Sequence, residues 1–213
     1  ETDDTPKEPP IFESEGYIVL RKPEVRVIFR LPVHKFRPSQ CDQLNLDLWV
    51  GQKNFLRDAG TYSYNASDLE LDYFGGQKGH NNVEFDGRNS MPRLSRFLWG
   101  AWRNTNGHSV DLDDQTGVLS ASGYFVDWLG ARHERKIFLS ESYLKIVDVL
   151  SGFEQKAIIR WRLQPANWVM ESGRIASECG SVEFIADSEI SSARLVDGWE
   201  SLFYLSKELI PVL

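Results

Sequence analysis

Short stretches of alternating apolar and polar residues recur along the chain, and each predicts a β-strand. Residues 43–50 are the clearest case. Leu44, Leu46, Leu48 and Val50 fall on one side, and Gln43, Asn45, Asp47 and Trp49 on the other. Residues 16–21 and 25–31 flank Lys22-Pro23-Glu24 and predict a hairpin. Val83 and Phe85 alternate with Asn82 and Glu84 ahead of the Asp86-Gly87 turn. Further strands are predicted over 117–126, 134–139, 144–150, 157–163, 175–178, 182–186, 193–196 and 201–205. Turn residues separate them at the spacing expected of an all-β sandwich. Residues 92–102 fit either element: Leu94, Phe97 and Leu98 have helical spacing, but the aromatics also suit a strand. The fold class predicted is all-β, a large antiparallel sandwich with few or no helices.

Composition narrows the partners. Aromatic residues make up 12% of the 213 positions, with seven Trp, which suits β-packing and equally suits sugar binding. The formal net charge of −7 argues against a nucleic-acid partner. An anionic sugar remains compatible with it, because a local basic cleft can form on an acidic protein. No apolar run is long enough to span a membrane. Two isolated cysteines, Cys41 and Cys179, define neither a disulfide framework nor a zinc ribbon, and their pairing stays open. Residues 1–12 are polar, charged and Pro-rich, the composition of a linker. The start without Met and the apolar end at Leu213 lead us to expect a piece of a longer polypeptide.

The most informative stretch lies between Leu56 and Gly87. Asp58-Ala59-Gly60-Thr61-Tyr62-Ser63-Tyr64 is followed by His80-Asn81-Asn82-Val83-Glu84-Phe85-Asp86-Gly87. These segments resemble the DxGTYxY and HNTVxVDG signatures of the heparinase II/III-like polysaccharide lyases, in the β-sandwich that follows their α/α toroid. The resemblance extends from Gly16 to about Tyr204. It implies residues 1–12 as a linker from a missing N-terminal toroid and 13–213 as the sandwich. It also implies β-elimination on an acidic, uronate-containing polysaccharide, and a periplasmic or secreted bacterial location.

The family's catalysis is shared between domains: Asn and Tyr from the toroid, His from the sandwich. The sandwich His is expected in an HxHAD pattern, where this chain reads Pro38-Ser39-Gln40-Cys41-Asp42. Asp42 matches, whereas Pro38 and Gln40 stand in the histidine positions and neither can shuttle a proton. A shift of register would bring His34 into play. No catalytic residue is therefore assigned to this chain. Some relatives hold a zinc ion in the sandwich, and the matching positions here are Gln40, Asp58 and His80. Either they hold structural zinc, or Asp58 and His80 form a buried hydrogen-bonded pair bracing two loops; no cofactor is required for the second reading. In both cases Asp58 and His80 should meet in the fold.

Substrate-binding candidates are Tyr62, Tyr64, Asn81, Arg88, Arg93 and Arg96. Tyr62 and Tyr64, if on a strand, share a face and either line a sugar subsite or pack inward. Asn81 should fix its loop. The arginines, with Arg103 nearby and a second basic group at Arg132, His133, Arg135 and Lys136, could meet carboxylate or sulfate; a solvated charged surface explains them equally well. His108 reads as an exposed loop residue. The resulting expectation is a sandwich that forms one wall of a lyase cleft and is inactive without the helical domain. Two alternatives remain: a non-catalytic sugar-binding relative, and a structural sandwich of a surface-polysaccharide protein.

Overall fold

A meander of five antiparallel strands opens the fold: β1 (Ile11–Ser14), β2 (Tyr17–Lys22), β3 (Val25–Arg30), β4 (Leu46–Val50) and β5 (Lys53–Leu56). The computed structural model describes residues 8–102, 107–188 and 190–213. Short elements follow: helix α1 (Asp68–Gly75), a 3₁₀ turn (Gln77–Gly79), and β6 (Val83–Phe85), β7 (Arg93–Ser95) and β8 (Leu98–Trp99). The second large sheet contains β9 (Ser109–Leu112), β10 (Leu119–Val126), β11 (Arg132–Leu139) and β12 (Leu144–Ser151), in the order β12-β11-β10-β9. The chain ends with β13 (Ala157–Ile159), β14 (Val169–Glu171), β15 (Arg174–Ser177), β16 (Gly180–Glu183), β17 (Val196–Glu200) and β18 (Glu208–Val212). All strand pairings between these elements are antiparallel.

Alternation explains the core. In β10 every second residue is buried, and in β2 and β3 Ile18, Leu20, Val27 and Phe29 face inward. These residues, with Leu46 and Leu48, form one cluster with Leu119, Ala121, Phe125, Ile137 and Leu139 of the facing sheet. Burying one face of each sheet is what the two-residue period demands. At Gly123 in β10 a methyl group would stand 2.8 Å from Leu31 Cδ2, so a side chain there would push the sheets apart.

The all-β sandwich expected from the alternation is what the chain forms, with one α-helix among the described residues. Several local expectations are corrected. Residues 92–102, which fitted either element, contain the β7–β8 hairpin. The strand placed at 193–196 begins at Val196. Residues 201–205 form a turn-rich loop, in which Leu205 has φ +62°. Strand β1 begins at Ile11, within the last two residues of the segment with linker composition. Val50, at the tip of β4, is solvent-exposed, although it shares a side with the buried Leu46 and Leu48. Helix α1 went unpredicted, although Ser67 and Glu70 form a capping box at its start. Among the described residues no helix is long and apolar enough to cross a membrane.

Candidate functional site

Strand β5 delivers the chain into a tight turn at Asp58. The Asp58 carboxylate accepts the Gly60 N–H (2.8 Å) and an N–H of the Asn45 amide (2.9 Å). Its Oδ2 also lies 2.6 Å from His80 Nδ1. The two residues separated by 22 positions therefore meet, as the motif spacing led us to expect. Main-chain bonds lace the same loops together: Ala59 N–H to Gly79 O, and Ser201 N–H to Ala59 O. Gly60 has φ +77°, and a Cβ there would overlap the Ser201 carbonyl. Gly60→Ala should accordingly destabilise the fold by about 2–3 kcal/mol through left-handed strain plus steric overlap. An unchanged melting temperature in that variant would contradict this packing.

Burial acts to raise the Asp58 carboxyl pKa, but the charge and hydrogen bond of His80 and the Gly60 N–H outweigh it and hold the group below its ordinary value. Burial likewise acts to lower His80, and Asp58 overrides it to hold the imidazole above its usual range. His80 is fully buried, and its Nε2 has no hydrogen-bond partner among the described residues. Asp47 lies close by. Burial first, and the Asp58 charge second, raise its carboxyl to about 7.

Of the two readings, zinc asks for donors that these residues hold only in part. Asp58 already accepts three hydrogen bonds, and Gln40 turns its amide towards Gly60 O at 3.5 Å. Cys41, the neighbouring thiol, points instead to Met91 O, and burial pushes its pKa up, away from thiolate. Two strong ligands fall short of the four that structural zinc commonly takes.

Asn81, expected at the substrate, is a buried brace. Its side chain donates to Leu46 O (2.8 Å) and Arg57 O (3.2 Å) and accepts the Arg162 N–H (2.6 Å). Its own N–H donates to Asn45 Oδ1, and Arg135 donates to its carbonyl. With no exposed surface and every polar group used, it has nothing left to offer a ligand. Arg88 is clamped between Asp86 and Asp127, and Asp86 also receives the N–H groups of residues 154–156.

Tyr62 and Tyr64 do not lie on a strand. Tyr62 has φ +63°, stacks on Phe74 at 5.3 Å, and carries the Lys207 ammonium over its ring. Tyr64 is exposed, 6.1 Å from Tyr204. Arg93 donates to Asp68 and Arg96 to Asn65, and the Arg96 side chain remains exposed. Arg103 lies outside the described residues. In the second basic group, His133 and Arg135 face inward, while Arg132 and Lys136 face out and share Glu134. His34, which a register shift would have recruited, is buried edge-on against Trp102. His108 pairs with Glu13.

Two openings flank the Asp58 turn. One, of about 170 Å³, is walled by Tyr17, Arg30, Gln40, Asp42, Asn45, Asp47 and Asp58. Arg30 lies over the Tyr17 ring (4.7 Å) and contacts Asp42 (3.3 Å). The other, of about 330 Å³, runs between the loops 60–64 and 201–204. Asp47, Tyr204 and the buried Arg162, whose guanidinium reaches Tyr73 Oη, Lys78 O and Trp199 O, were missed from sequence. Of these, Arg162 had left a signal, as one of two charges, with Arg160, in the strand-like run 157–163.

Residues 4–201 match the family described as Heparinase II/III-like, C-terminal. A search of curated proteins found no match. Among solved structures, heparan sulfate lyase HepC from Pedobacter heparinus is similar at TM-score 0.72 and 14% identity, over 93% of this chain and 32% of that one. A heparinase III gene product aligns at TM-score 0.74 and 17% identity, over 94% and 32%. Another heparinase III structure aligns at 0.73 and 16%, over 95% and 33%. The chain spans about a third of the length of these structures, and at such identities they establish the shared fold.

Proposed function

The chain belongs to the heparinase II/III-like C-terminal family, and from that premise we propose that it is the sandwich module of a longer lyase acting on uronate-containing polysaccharide. The family match over residues 4–201 is the observation that carries this reading. An N-terminal helical domain would supply the proton-transfer groups, and export to the periplasm or cell exterior belongs to the same proposal. The module's part is to form one wall of the cleft, with the polar opening at Arg30, Gln40 and Asn45 beside the bound chain. In β-elimination the uronate carboxylate must be neutralised, the C5 proton removed and the C4 oxygen protonated. Pro38 and Gln40 cannot move protons, so the module's own residues bind and orient. The full-length gene product should release unsaturated uronate ends from heparan sulfate or another uronate polymer, read by ultraviolet absorbance. Residues 1–213 alone should release none. Activity from this chain alone, lost on a point substitution within it, would refute the division of labour.

A second reading, a sugar-binding relative without chemistry, is favoured by the two missing histidines. It predicts polysaccharide binding by the full-length product with no absorbance change.

The Asp58–His80 pair acts in this proposal as a metal-free brace. His80→Ala should cost roughly 1–3 kcal/mol by removing one of the three hydrogen bonds that hold the partly buried Asp58 carboxylate. Chelator should leave the wild-type melting temperature unmoved. Near-stoichiometric zinc by elemental analysis would overturn the metal-free assignment.

A further inference from the structure

The two sides of the second sheet end differently. On one side β9 has four residues and carries Asp111. His108, just before it, contacts Glu13 of the equally short β1 at 2.6 Å and ties the two sheets together there. On the other side β12 has eight residues, with no Pro, no Gly and no shift of register along the whole of β11. Among the described residues its main chain pairs with β11 alone. Proteins ordinarily blunt such an edge by shortening, bulging or charging it.

The groups that face outward follow from the ladder. Ser140 N–H donates to Tyr143 O at the β11–β12 turn, which makes these two a hydrogen-bonded pair. Such pairs recur at every second position of an antiparallel ladder. Residues 145, 147, 149 and 151 therefore bond to β11. Leu144, Ile146, Asp148 and Leu150 aim their N–H and C=O groups away from the sheet. The Asp148 carboxylate turns inward onto Arg135 and His133, so Lys145 is the one charge the strand presents outward. Val147 and Val149 share that outer face, and Val149 is 53% exposed.

This strand is complementary to itself. An antiparallel copy with Val147 on the two-fold axis lets Ile146 exchange main-chain bonds with Asp148, and Leu144 with Leu150. On the outer face Val147 then meets its own counterpart, and Lys145 lies opposite Val149, so no like charges are opposed. Putting Asp148 on the axis would instead set two carboxylates side by side.

We propose that β12 is a dimer edge, at which two copies of this chain join their second sheets into one continuous antiparallel sheet with Val147 at the axis.

Sedimentation and cross-linking of the full-length gene product test this. The wild type should sediment at twice the mass of one polypeptide at micromolar concentration. A non-hydrogen-bonded antiparallel pair brings its Cα atoms to about 4.5 Å, within disulfide reach. Mild oxidation should therefore convert most of Val147→Cys to a disulfide-linked dimer on a non-reducing gel. Wild type, with its native Cys41 and Cys179, and Ser109→Cys on the far edge should not cross-link. Val149→Lys, which faces Lys145 of the partner subunit, should weaken the dimer about tenfold, and adding Lys145→Glu should restore it. A monomeric wild type, its edge covered by another segment of the same polypeptide or left bare, would overturn the proposal. So would a dimer whose Val147→Cys form cross-links no faster than Ser109→Cys. Val149 is exposed, so its substitution leaves the fold intact and keeps the test open should Val147→Cys misfold; a dimer indifferent to Val149→Lys also overturns the assignment.

Discussion

Replacing Asp148 by alanine should cost about 3–5 kcal/mol, the penalty for leaving a buried charge without its partner. Arg135 on β11 has no exposed surface. It donates from Nε and Nη2 to the two Asp148 oxygens, at 2.7 and 3.0 Å, and from Nη1 to the carbonyls of Leu44 and Asn81. His133, pushed towards its neutral form by burial, shares the same carboxylate at 2.7 Å. Burial opposes the Asp148 charge, but Arg135 and His133 outweigh it and hold the carboxyl far below its usual range. Removing Asp148 leaves a guanidinium in an apolar layer with two main-chain carbonyls for company. A paired change, Arg135→Met with Asp148→Leu, should recover part of the loss, because the apolar replacements remove the buried charges while the carbonyls of Leu44 and Asn81 and the ring of His133 lose their partner. Urea midpoints at constant slope provide the measure. A loss below about 1 kcal/mol in Asp148→Ala, the value typical of an exposed pair, would place the contact at the surface instead.

Asp47→Asn should stabilise the protein above neutral pH and leave it nearly unchanged near pH 3, below both carboxyl values. The native Asp47 keeps its proton to about pH 7, whereas the ordinary carboxyl value is 3.8. Between those values the native state binds more protons than the unfolded state, so stability falls as pH rises. A difference of about three units sets a ceiling of roughly 4 kcal/mol, and about 2–4 kcal/mol is the expected gain at pH 8. His80 acts in the same direction: its stabilisation is complete below its ordinary pKa and is lost as pH climbs through the raised folded value. Asp58 acts oppositely, losing its contribution as pH drops through its depressed folded value. Maximum stability is therefore expected on the acid side of neutrality, above about pH 4. An Asp47→Asn profile parallel to wild type from pH 4 to 8 would show that Asp47 does not titrate in this range.

The fold was legible wherever one face of a sheet is buried, because burial imposes a period of two on the sequence. Residues 119–126 show it directly. The contact between Asp58 and His80 was legible from two motifs rather than from periodicity. The brace at Asn81 was not, since its partners Leu46, Arg57 and Arg162 come from three separate segments and no local pattern encodes their convergence. Tyr62 misled for a related reason: alternation in Thr61-Tyr62-Ser63-Tyr64 mimics a strand, while the left-handed backbone at Tyr62 breaks it. Arg135 shows what a stricter reading recovers. It shares parity with Ile137 and Leu139 on β11, so a charge at that position already announces an inward-facing pair.

The convergence at Asn81 also bears on biosynthesis. Its amide oxygen is satisfied by Arg162, 81 residues further along, and β6 pairs with β13 across a similar interval. A nascent chain halted after β12 carries the first sheet and the whole Asp58–His80 turn, yet lacks the segment that completes their polar interior. Because late-arriving partners must come in from the C-terminal end, the N-terminal half should stay open to protease on the ribosome until residue 162 clears the exit tunnel. Pausing translation just before and just after that point should yield a degraded and a resistant product, respectively.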